Sequence, residues 1–335
     1  MARRVQFDRL GGPEVLTLRD VETVAPGAGE VRIRVDAIGL NRAEIMYREG
    51  SYFDRPRFPS GLGYEAAGVI DAVGAGVAGF TEGDSVAVVP AFLQSEYGTY
   101  GDHVVVPAAA VVPRPADVDA VRAAAVWMAY ITAYGPLVES GEVRPGDHVL
   151  ITAASSSVGL AALQLARHVG AIPVATTRGR DKKQRLLDAG AAHVIVTDEE
   201  DLPARVKDIT GGKGVRLAFD PIAGPGVETL AQGIAPGGTL VVYGALDPRT
   251  TPLPNARSYP ALTTRTYTLF EITTDPERLR RAVAFVGAGL ASGSFVPVVD
   301  RTFDLADIAE AHRYMESNGQ VGKIVVTVTH PTAGS

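Results

Sequence analysis

The stretch that decides the fold of this 335-residue chain runs Val149-Leu-Ile-Thr-Ala-Ala-Ser-Ser-Ser-Val-Gly-Leu-Ala-Ala-Leu-Gln-Leu-Ala-Arg167. Its pattern predicts a buried strand, a tight turn of small residues and then a helix. Such a turn brings backbone N–H groups and a helix N-terminus close to an anionic ligand, as in the dinucleotide sites of parallel α/β sheets. Of the three glycines usual in that turn, only Gly159 is present. An ordinary strand–turn–helix connection with a serine cap is the alternative interpretation.

The composition of the chain argues against several classes of protein. A hydrophobic content of 46% and a charged content of 21% are ordinary for a soluble globular protein, and no apolar run is as long as a membrane span. The net charge of −6 gives no reason to expect nucleic acid or an anionic membrane as a partner. The chain has no cysteine, which excludes disulfides, a thiolate nucleophile and thiolate-bound zinc. Since no secretory signal is apparent, we expect a cytoplasmic enzyme.

The pattern of elements changes near residue 120. Before it, short alternating runs such as Val31–Val35 and Ala66–Val73, separated by glycine-rich turns, predict a mostly antiparallel β domain. After it, short strands rich in β-branched residues alternate with helical segments, which predicts a doubly wound parallel sheet.

A basic cluster follows the strand that is expected to end at Thr177. NAD sites usually carry Asp or Glu at this point, to bond the ribose 2′-hydroxyl. This chain has Arg178 instead, with Arg180 and Lys182 close behind. Guanidinium groups bind phosphate through charge-assisted hydrogen bonds and stack on adenine, so the pattern favours NADPH over NADH. A solvated basic start of a helix is the alternative, although cations are mildly unfavourable there.

Two later strands are expected to end at the same edge of the sheet. One ends at Asp220 and the other at Tyr243-Gly244. Because ligands of such sheets lie outside the carboxyl ends of the strands, these residues are candidates to line the cofactor site. Plain turn chemistry explains each of them equally well.

Further motifs, in a specific order and spacing, carry a resemblance to a known family. They include Gly39-Leu-Asn41, Pro59-Ser-Gly-Leu-Gly-Tyr-Glu-Ala-Ala-Gly68, Gly146-Asp-His-Val149, Gly238-Thr-Leu-Val-Val242 and Gly322-Lys-Ile324. The chain resembles the medium-chain dehydrogenase/reductase superfamily and, within it, the zinc-free quinone oxidoreductase branch. The resemblance covers nearly the whole chain.

The resemblance implies an α/β fold of two domains. A GroES-like, mostly antiparallel β catalytic domain is expected over residues 1–122 and 265–335. A Rossmann domain, a doubly wound parallel sheet that binds NADPH, is expected over residues 123–264. The resemblance also leads us to expect a homodimer, in which a last strand such as Thr239–Tyr243 pairs with its symmetry mate.

The resemblance also indicates site residues. Asn41 and Tyr52 match positions that line the quinone pocket of the branch, and Tyr64 and Tyr130 are the other polar groups expected there. Glu44 and Arg48 are expected to form a supporting ion pair beside them. The residues expected at the cofactor are Thr132, Ser155, Ser156, Ser157, Val158, Gly159, Thr177, Arg178, Lys182, Asp220, Tyr243, Gly244, Gly322 and Lys323.

The same comparison bears on zinc. Zinc-containing relatives carry cysteine, histidine and cysteine where this chain has Asn41, Tyr64 and Met128, and none of these is a good zinc ligand. We therefore predict no metal. Without a Lewis acid, alcohol oxidation lacks the group that stabilises an alkoxide. Hydride donation to an enone or quinone remains feasible, because the acceptor spreads the incoming charge onto its own oxygen.

The leading hypothesis is an NADPH-dependent reductase of quinones or α,β-unsaturated carbonyls, acting on a small electrophile. An enoyl-thioester reductase of polyketide or fatty-acid assembly is the nearest alternative, although no basic cluster outside the cofactor region indicates a site for a phosphopantetheine arm. A protein that binds NADPH as a sensor, without redox chemistry, is an alternative of a different class. Comparing a free enone with its thioester, and testing for hydride transfer at all, would separate the three.

Overall fold

The computed structural model describes residues 1–255, 259 and 261–330 of the chain. Its strands, in chain order, are β1 (Ala2–Gln6), β2 (Thr17–Val21), β3 (Glu30–Gly39), β4 (Glu65–Val73), β5 (Ser85–Val88), β6 (His103–Pro107), β7 (Val111–Pro113), β8 (His148–Ile151), β9 (Ile172–Thr177), β10 (His193–Val196), β11 (Val215–Asp220), β12 (Ile234–Val242), β13 (Thr263–Thr266), β14 (Val299–Asp304) and β15 (Lys323–Thr327).

The α-helices are mostly short and alternate with the strands of the middle of the chain. They are α1 (Arg42–Glu49), α2 (Ala120–Ala123), α3 (Trp127–Tyr134), α4 (Ser157–His168), α5 (Lys183–Asp188), α6 (Leu202–Ile209), α7 (Val227–Gly233), α8 (Phe270–Thr273), α9 (Pro276–Ala291) and α10 (Ile308–Glu316). Within the described residues, no helix combines the length and the apolar character needed to cross a bilayer.

The described chain forms two compact units. The first comprises Met1–Met128, Thr273–Leu279 and the described residues from Pro297 onward; the second comprises Ala129–Ile272 and Arg280–Val296. The predicted assignment of a catalytic domain to residues 1–122 and 265–335 and of a cofactor domain to 123–264 stays a prediction. The last five residues of that prediction lie outside the described part of the chain.

The second unit is built on one six-stranded sheet. Its strand order is β10-β9-β8-β11-β12-β13, and every pair in it is parallel. This is the doubly wound order in which the chain first builds outward from β8 in one direction and then in the other. The topological switch point therefore lies between β8 and β11, and dinucleotides bind at the carboxyl ends of the strands there.

Buried apolar side chains from neighbouring strands hold this sheet together. Leu150, Val174, Ile195 and Leu240, one from each of four strands, are all 0% exposed and belong to a single core cluster. Strands buried on both faces have near-continuous apolar sequences, which is why their positions could be predicted from the sequence.

The first unit contains a mostly antiparallel seven-stranded sheet. Its order is β14-β15-β3-β4-β5-β7, with β6 also paired to β3. The C-terminal strand β15 pairs antiparallel with β3, Val325 opposite Gly39 and Thr327 opposite Ala37. The end of the chain thus completes a sheet begun near its start. Together the two sheets confirm the predicted fold class.

One expectation about the parallel sheet is wrong. Thr239–Tyr243 was expected to be the last strand and to pair with a symmetry mate. In the structure β13 lies outside β12 and pairs with it in parallel from Thr239–Thr263 to Val242–Thr266. Since β12 is paired with β11 on its other side, both of its edges are used within the chain. The homodimer itself stays a prediction.

Candidate functional site

The turn after β8 has the geometry of an anion-binding strand–turn–helix. Ser156 is the N-cap of α4, and its hydroxyl oxygen accepts a hydrogen bond from the N–H of Gly159 at 3.0 Å. Ser156 therefore caps α4, as the alternative interpretation of the turn predicts. The N–H groups of Ser157 and Val158 belong to the first turn of the helix, which leaves them without intrahelical acceptors. Ser155, Ser157 and Val158 are half-buried, so the turn remains accessible.

Gly159 is required by a close approach of backbone. A Cβ at this position would lie 2.6 Å from both the Cα and the carbonyl oxygen of Ala154. Ala153, which begins the turn, has a positive φ of 45°. The turn is tight enough that the single remaining glycine is the one that lets α4 pack against the strand, as predicted from the sequence.

The end of β9 carries two arginines in different circumstances. Thr177 is buried, and its hydroxyl donates to the carbonyl of Gly179 at 3.2 Å. The Arg178 side chain is exposed, and its guanidinium makes no hydrogen bond or ion pair with any described residue. The guanidinium of Arg180 is paired with Glu199 at 2.5 Å. Lys182 is half-buried at the end of a short 3₁₀ turn. Arg178 is thus the arginine available to a phosphate.

Asp220 closes β11 with its carboxylate fully buried. It accepts a short hydrogen bond from the hydroxyl of Thr152, which follows β8, and a bond of 2.7 Å from the N–H of Ala223. Burial raises the pKa of this carboxyl, and these hydrogen bonds oppose the rise. Asp220 therefore fastens together the two strands that flank the switch point.

Tyr243 lies over the same end of the sheet. Its ring stacks on Phe219 with centroids 4.0 Å apart and an interplanar angle of 18°. Its hydroxyl is buried next to Ser156, whose side chain interacts with it. Burial, and then the charge of Asp220, raise the pKa of this phenol well above its usual value, so the hydroxyl keeps its proton. Gly244 follows Tyr243, where a Cβ would lie 2.7 Å from the carbonyl oxygen of Pro221.

Helix α3 carries Tyr130 and Thr132, both buried. The Tyr130 hydroxyl donates to Oε1 of Gln164 at 2.7 Å, and the amide of Gln164 in turn donates to the carbonyl of Val296 at 2.9 Å. The structure therefore gives the Tyr130 hydroxyl a partner inside its own unit, which ties α3 to α4. Its catalytic role remains an untested prediction.

In the first unit, Asn41 lies in a buried cluster of charges. We call Asn41, Glu44, Glu65 and Lys323 the buried charge cluster; Asn41 is 7% exposed and the other three at most 1%. The ammonium of Lys323 donates to Oε2 of Glu65 and to Oδ1 of Asn41, each at 2.6 Å. Oε1 of Glu65 accepts from the N–H of Met128 at 3.2 Å.

The amide of Asn41 is fully oriented by this cluster. Its nitrogen donates to the carbonyl of Gly39 at 3.2 Å and to Oε1 of Glu44 at 3.1 Å, while its oxygen accepts from Lys323. An amide has two N–H donors, and both are used. Asn41 consequently has only a lone pair of its oxygen left for a ligand and no donor for a substrate carbonyl.

Glu44 does not pair with Arg48, so that expectation is wrong. Glu44 turns back to the N-terminus of α1 as the second half of a capping box with Asn41. Arg48 is one turn further along, and its guanidinium bonds the carbonyl of Gly11, Nδ1 of His312 and, in a short contact, Glu316. The helix places the two side chains in separate networks.

Burial raises the pKa of the Glu44 carboxyl to about 8, an effect that Lys323 and the hydrogen bonds from Asn41 oppose and Glu65 reinforces. One lysine faces two carboxylates in this cluster. The excess negative charge is therefore removed by a proton on Glu44 near neutral pH.

The structure gives Lys323 partners inside the buried charge cluster, and its expected place at the cofactor stays a prediction. Its ammonium is neutralised by Glu65 inside the first unit, because β15 inserts next to β3 and brings Lys323 against Gly39. A Cβ on Gly39 would lie 1.9 Å from the carbonyl oxygen of Ala124 and 2.7 Å from Cε of Lys323, so backbone and side chain both require glycine here. Gly322 has a φ of +117°, and a Cβ there would lie 2.5 Å from the carbonyl oxygen of Val298.

Tyr52 and Tyr64 lie in an aromatic group of the same unit. Their ring centroids are 6.3 Å apart, and Tyr64 also lies 5.9 Å from the ring of Phe92. Burial raises the pKa of Tyr52 to about 12, and it raises that of Tyr64 further, with the nearby Tyr52 adding to the effect. Both phenols stay protonated at neutral pH and are therefore hydrogen-bond donors. The two hydroxyls are also hydrogen-bonded to each other, and Gln94 is hydrogen-bonded to Tyr64, so the two phenols belong to one polar network.

Three functional candidates were missed in the sequence. Glu65 lies in the motif that spans residues 59–68 and begins β4. The signal for its role is that a charged residue at the start of a buried strand needs a partner. Gln94 is 2% exposed and holds the N–H of Gly63 at 2.8 Å, in a loop without a pattern. Glu199 belongs to an acidic run after β10, the strand next to β9, and that adjacency was the available signal.

Among the residues the structure describes, no group of three or more His, Asp or Glu side chains is placed to hold a metal ion. Asn41 and the N–H of Met128, at two of the positions compared with zinc ligands, are engaged with Lys323 and Glu65. The chemistry of these side chains is that of hydrogen bonding rather than of zinc coordination. That the reaction needs no metal stays a prediction.

Two family models and a curated relative match this chain. A family model described as alcohol dehydrogenase GroES-like domain matches residues 27–116, and one described as zinc-binding dehydrogenase matches residues 189–326. A quinone oxidoreductase of Pseudomonas aeruginosa is 34% identical over 97% of this chain and 99% of its own length.

Two solved structures are similar over nearly the whole chain. Escherichia coli quinone oxidoreductase complexed with NADPH has a TM-score of 0.91 and 32% identity, covering 97% of this chain and 100% of that chain. An NAD-dependent alcohol dehydrogenase has a TM-score of 0.89 and 32% identity, covering 98% and 100%. By sequence and by fold, this chain belongs to the medium-chain dehydrogenase/reductase superfamily, in its quinone oxidoreductase-like branch, and is an oxidoreductase of a family that uses a nicotinamide cofactor.

Proposed function

We propose that this protein is an NADPH-dependent reductase of quinones or α,β-unsaturated carbonyls that transfers hydride without a metal. The observation that carries the NADPH part is Arg178, an exposed guanidinium at the carboxyl end of β9 that no described residue engages. That is the position at which a doubly wound sheet meets the adenosine ribose of a dinucleotide. A 2′-phosphate there gains charge-assisted hydrogen bonds from an arginine.

Residues of the second unit fit the rest of the cofactor. The first turn of α4 offers the N–H groups of Ser157 and Val158 to a pyrophosphate, and the close packing at Gly159 keeps that turn in place. The buried hydroxyl of Tyr243 lies beside Ser156 of the same turn, so both are placed near that pyrophosphate. When bound, NADPH supplies the hydride.

Residues of the first unit fit an acceptor whose oxygen becomes negative. The hydroxyl of Tyr52 stays protonated at neutral pH and accepts a hydrogen bond from Tyr64, so Tyr52 is a donor that suits an enolate or quinol oxygen. The proton that completes the reduction then comes from solvent. Asn41 does not serve as a donor, because Gly39 and Glu44 take both of its N–H groups.

The test is NADPH oxidation with a quinone, an enone and the matching enoyl thioester, together with deuteride transfer from 4-deuterated NADPH. We expect turnover of the quinone or the enone with deuterium in the reduced product of the enone. Arg178→Gln should weaken NADPH binding about 10- to 100-fold, the loss of one to two charge-assisted contacts, and change NADH binding little. Binding of NADPH without turnover of any acceptor would contradict the proposal.

A further inference from the structure

The strongest unexplained feature is an acidic side chain at the cofactor end of the sheet. Both carboxylate oxygens of Glu199 share the single Nε–H of Arg180, at 2.7 and 2.5 Å. The pair is open to solvent, with side-chain exposures of 78% for Arg180 and 38% for Glu199. Nothing in the proposed reaction requires a carboxylate here, and a 2′-phosphate would be repelled by it.

The backbone holds Glu199 in this place. After β9 and β10 end, pairing of the two chain segments continues through the N–H of Thr197 to the carbonyl of Thr177, at 2.8 Å, and the N–H of Asp198 to the carbonyl of Arg178, at 3.2 Å. The residue that follows is Glu199. Its position beside the residues after β9 is therefore set by the sheet rather than by side-chain contact alone.

The neighbouring carboxylate has other partners. Glu200 accepts from the N–H of Val196 at 2.8 Å and pairs with Arg205 at 2.8 Å. Of these two glutamates, Glu199 is the one that engages a basic residue of the β9 end. Glu199 thus pairs with Arg180 at this point, whereas the guanidinium of Arg178 is uncommitted.

We propose that Glu199 is a specificity-determining residue that lowers the ratio of NADPH affinity to NADH affinity in this enzyme. It holds Arg180 away from the 2′-phosphate and adds a negative charge close to it. Glu199 favours the binding of NADH, since a carboxylate is the group that accepts a hydrogen bond from the ribose 2′-hydroxyl in NAD sites. Here the carboxylate comes from the end of β10 instead of β9. This inference rests on the proposed NADPH site at Arg178.

The test compares cofactor affinities directly. Dissociation constants of NADPH and NADH are measured by fluorescence titration without acceptor, and kcat/KM for both with one quinone. Glu199→Gln should raise the NADPH/NADH affinity ratio about three- to fivefold, the range expected for freeing an exposed ion-pair partner. The gain should shrink in 1 M salt, where the Debye length is only about 3 Å.

Glu310→Gln is the matched control. Glu310 pairs with Arg313 at 3.1 Å in an exposed ion pair of α10, so this substitution removes one exposed carboxylate elsewhere and should leave the ratio unchanged. An unchanged or lower ratio in Glu199→Gln, with Glu199→Ala agreeing, would overturn the role of Glu199. If Arg178→Gln weakens NADPH binding at the same time, the proposed NADPH site survives; if it does not, that site is wrong as well.

Discussion

At the scale of single residues, the turn after β8 requires glycine at position 159. Gly159→Ala would place a methyl group 2.6 Å from the Cα and the carbonyl oxygen of Ala154, and backbone cannot give way as a flexible side chain can. We expect the free energy of unfolding to fall by about 1–3 kcal/mol. Binding of NADPH should weaken with it, because the N–H groups of the turn move.

The measurement for this substitution is urea denaturation, with Gly287→Ala as the control. Gly287 lies in α9, where a Cβ would meet no atom within 4 Å. Alanine is the better helix former by about 0.5–1 kcal/mol, so the control should be neutral or more stable. Equal effects of the two substitutions would contradict the close-packing argument.

At the scale of elements, the Lys323–Glu65 pair connects β15 to β4. Lys323→Met leaves the carboxylate of Glu65 buried without a cation, which should cost about 3–5 kcal/mol of unfolding free energy. The double variant Lys323→Met/Glu65→Gln removes both charges and keeps an acceptor for the N–H of Met128, so it should be markedly more stable than Lys323→Met alone. A double-mutant cycle by urea denaturation checks this, and additive losses would argue against the pair.

At the scale of the whole molecule, Glu44 makes stability depend on pH. Its pKa in the folded chain is about 8, against about 4.5 when unfolded, so the folded state holds the extra proton between these values. The stability from that proton is complete below pH 4.5 and is lost as the pH rises through 8. We expect a loss of about 1–3 kcal/mol between pH 6 and 9.

Urea denaturation at several pH values checks this linkage. Glu44→Gln cannot ionise, so its unfolding free energy should change less than that of the wild type between pH 6 and 9, whatever its absolute level. Glu310→Gln, which removes an exposed carboxylate, should keep the wild-type slope. The same slope in all three proteins would contradict a protonated Glu44.

His312 makes the protein less stable as the pH falls, whereas Glu44 makes it less stable as the pH rises. Burial, with the charge of Arg48 adding to it, lowers the pKa of His312 to about 3, so the imidazole is neutral in the folded chain. Because a guanidinium only donates, Nδ1 of His312 is the acceptor from Arg48, and Nε2 carries the hydrogen given to the Tyr100 hydroxyl at 3.2 Å. Unfolded histidine binds a proton near pH 6.5, so this contribution to stability is lost as the pH falls from there toward 3.

The strands of the parallel sheet were predictable because their signal is local. The sequence predicts strands that end at Thr177 and at Asp220, and β9 and β11 end at those residues. Apolar β-branched runs between helical segments follow from burial on both faces, whatever the order of strands. The same local reasoning could not see that β13 covers β12, since Thr263–Thr266 is polar and largely exposed. Edge strands lack the apolar run by which buried ones are recognised.

What the sequence by itself determined was the class of this protein: a doubly wound parallel sheet whose second strand ends in basic residues, and a mostly antiparallel β domain. What only the tertiary structure decided was the state of the charged groups. Lys323 meets Asn41 across 282 positions of the chain, and Glu199 meets Arg180 through the pairing of two strands. The periodicity of apolar residues within one segment predicts which of its faces is buried. The partner of a charged side chain, in contrast, depends on which distant strands become neighbours in the folded chain.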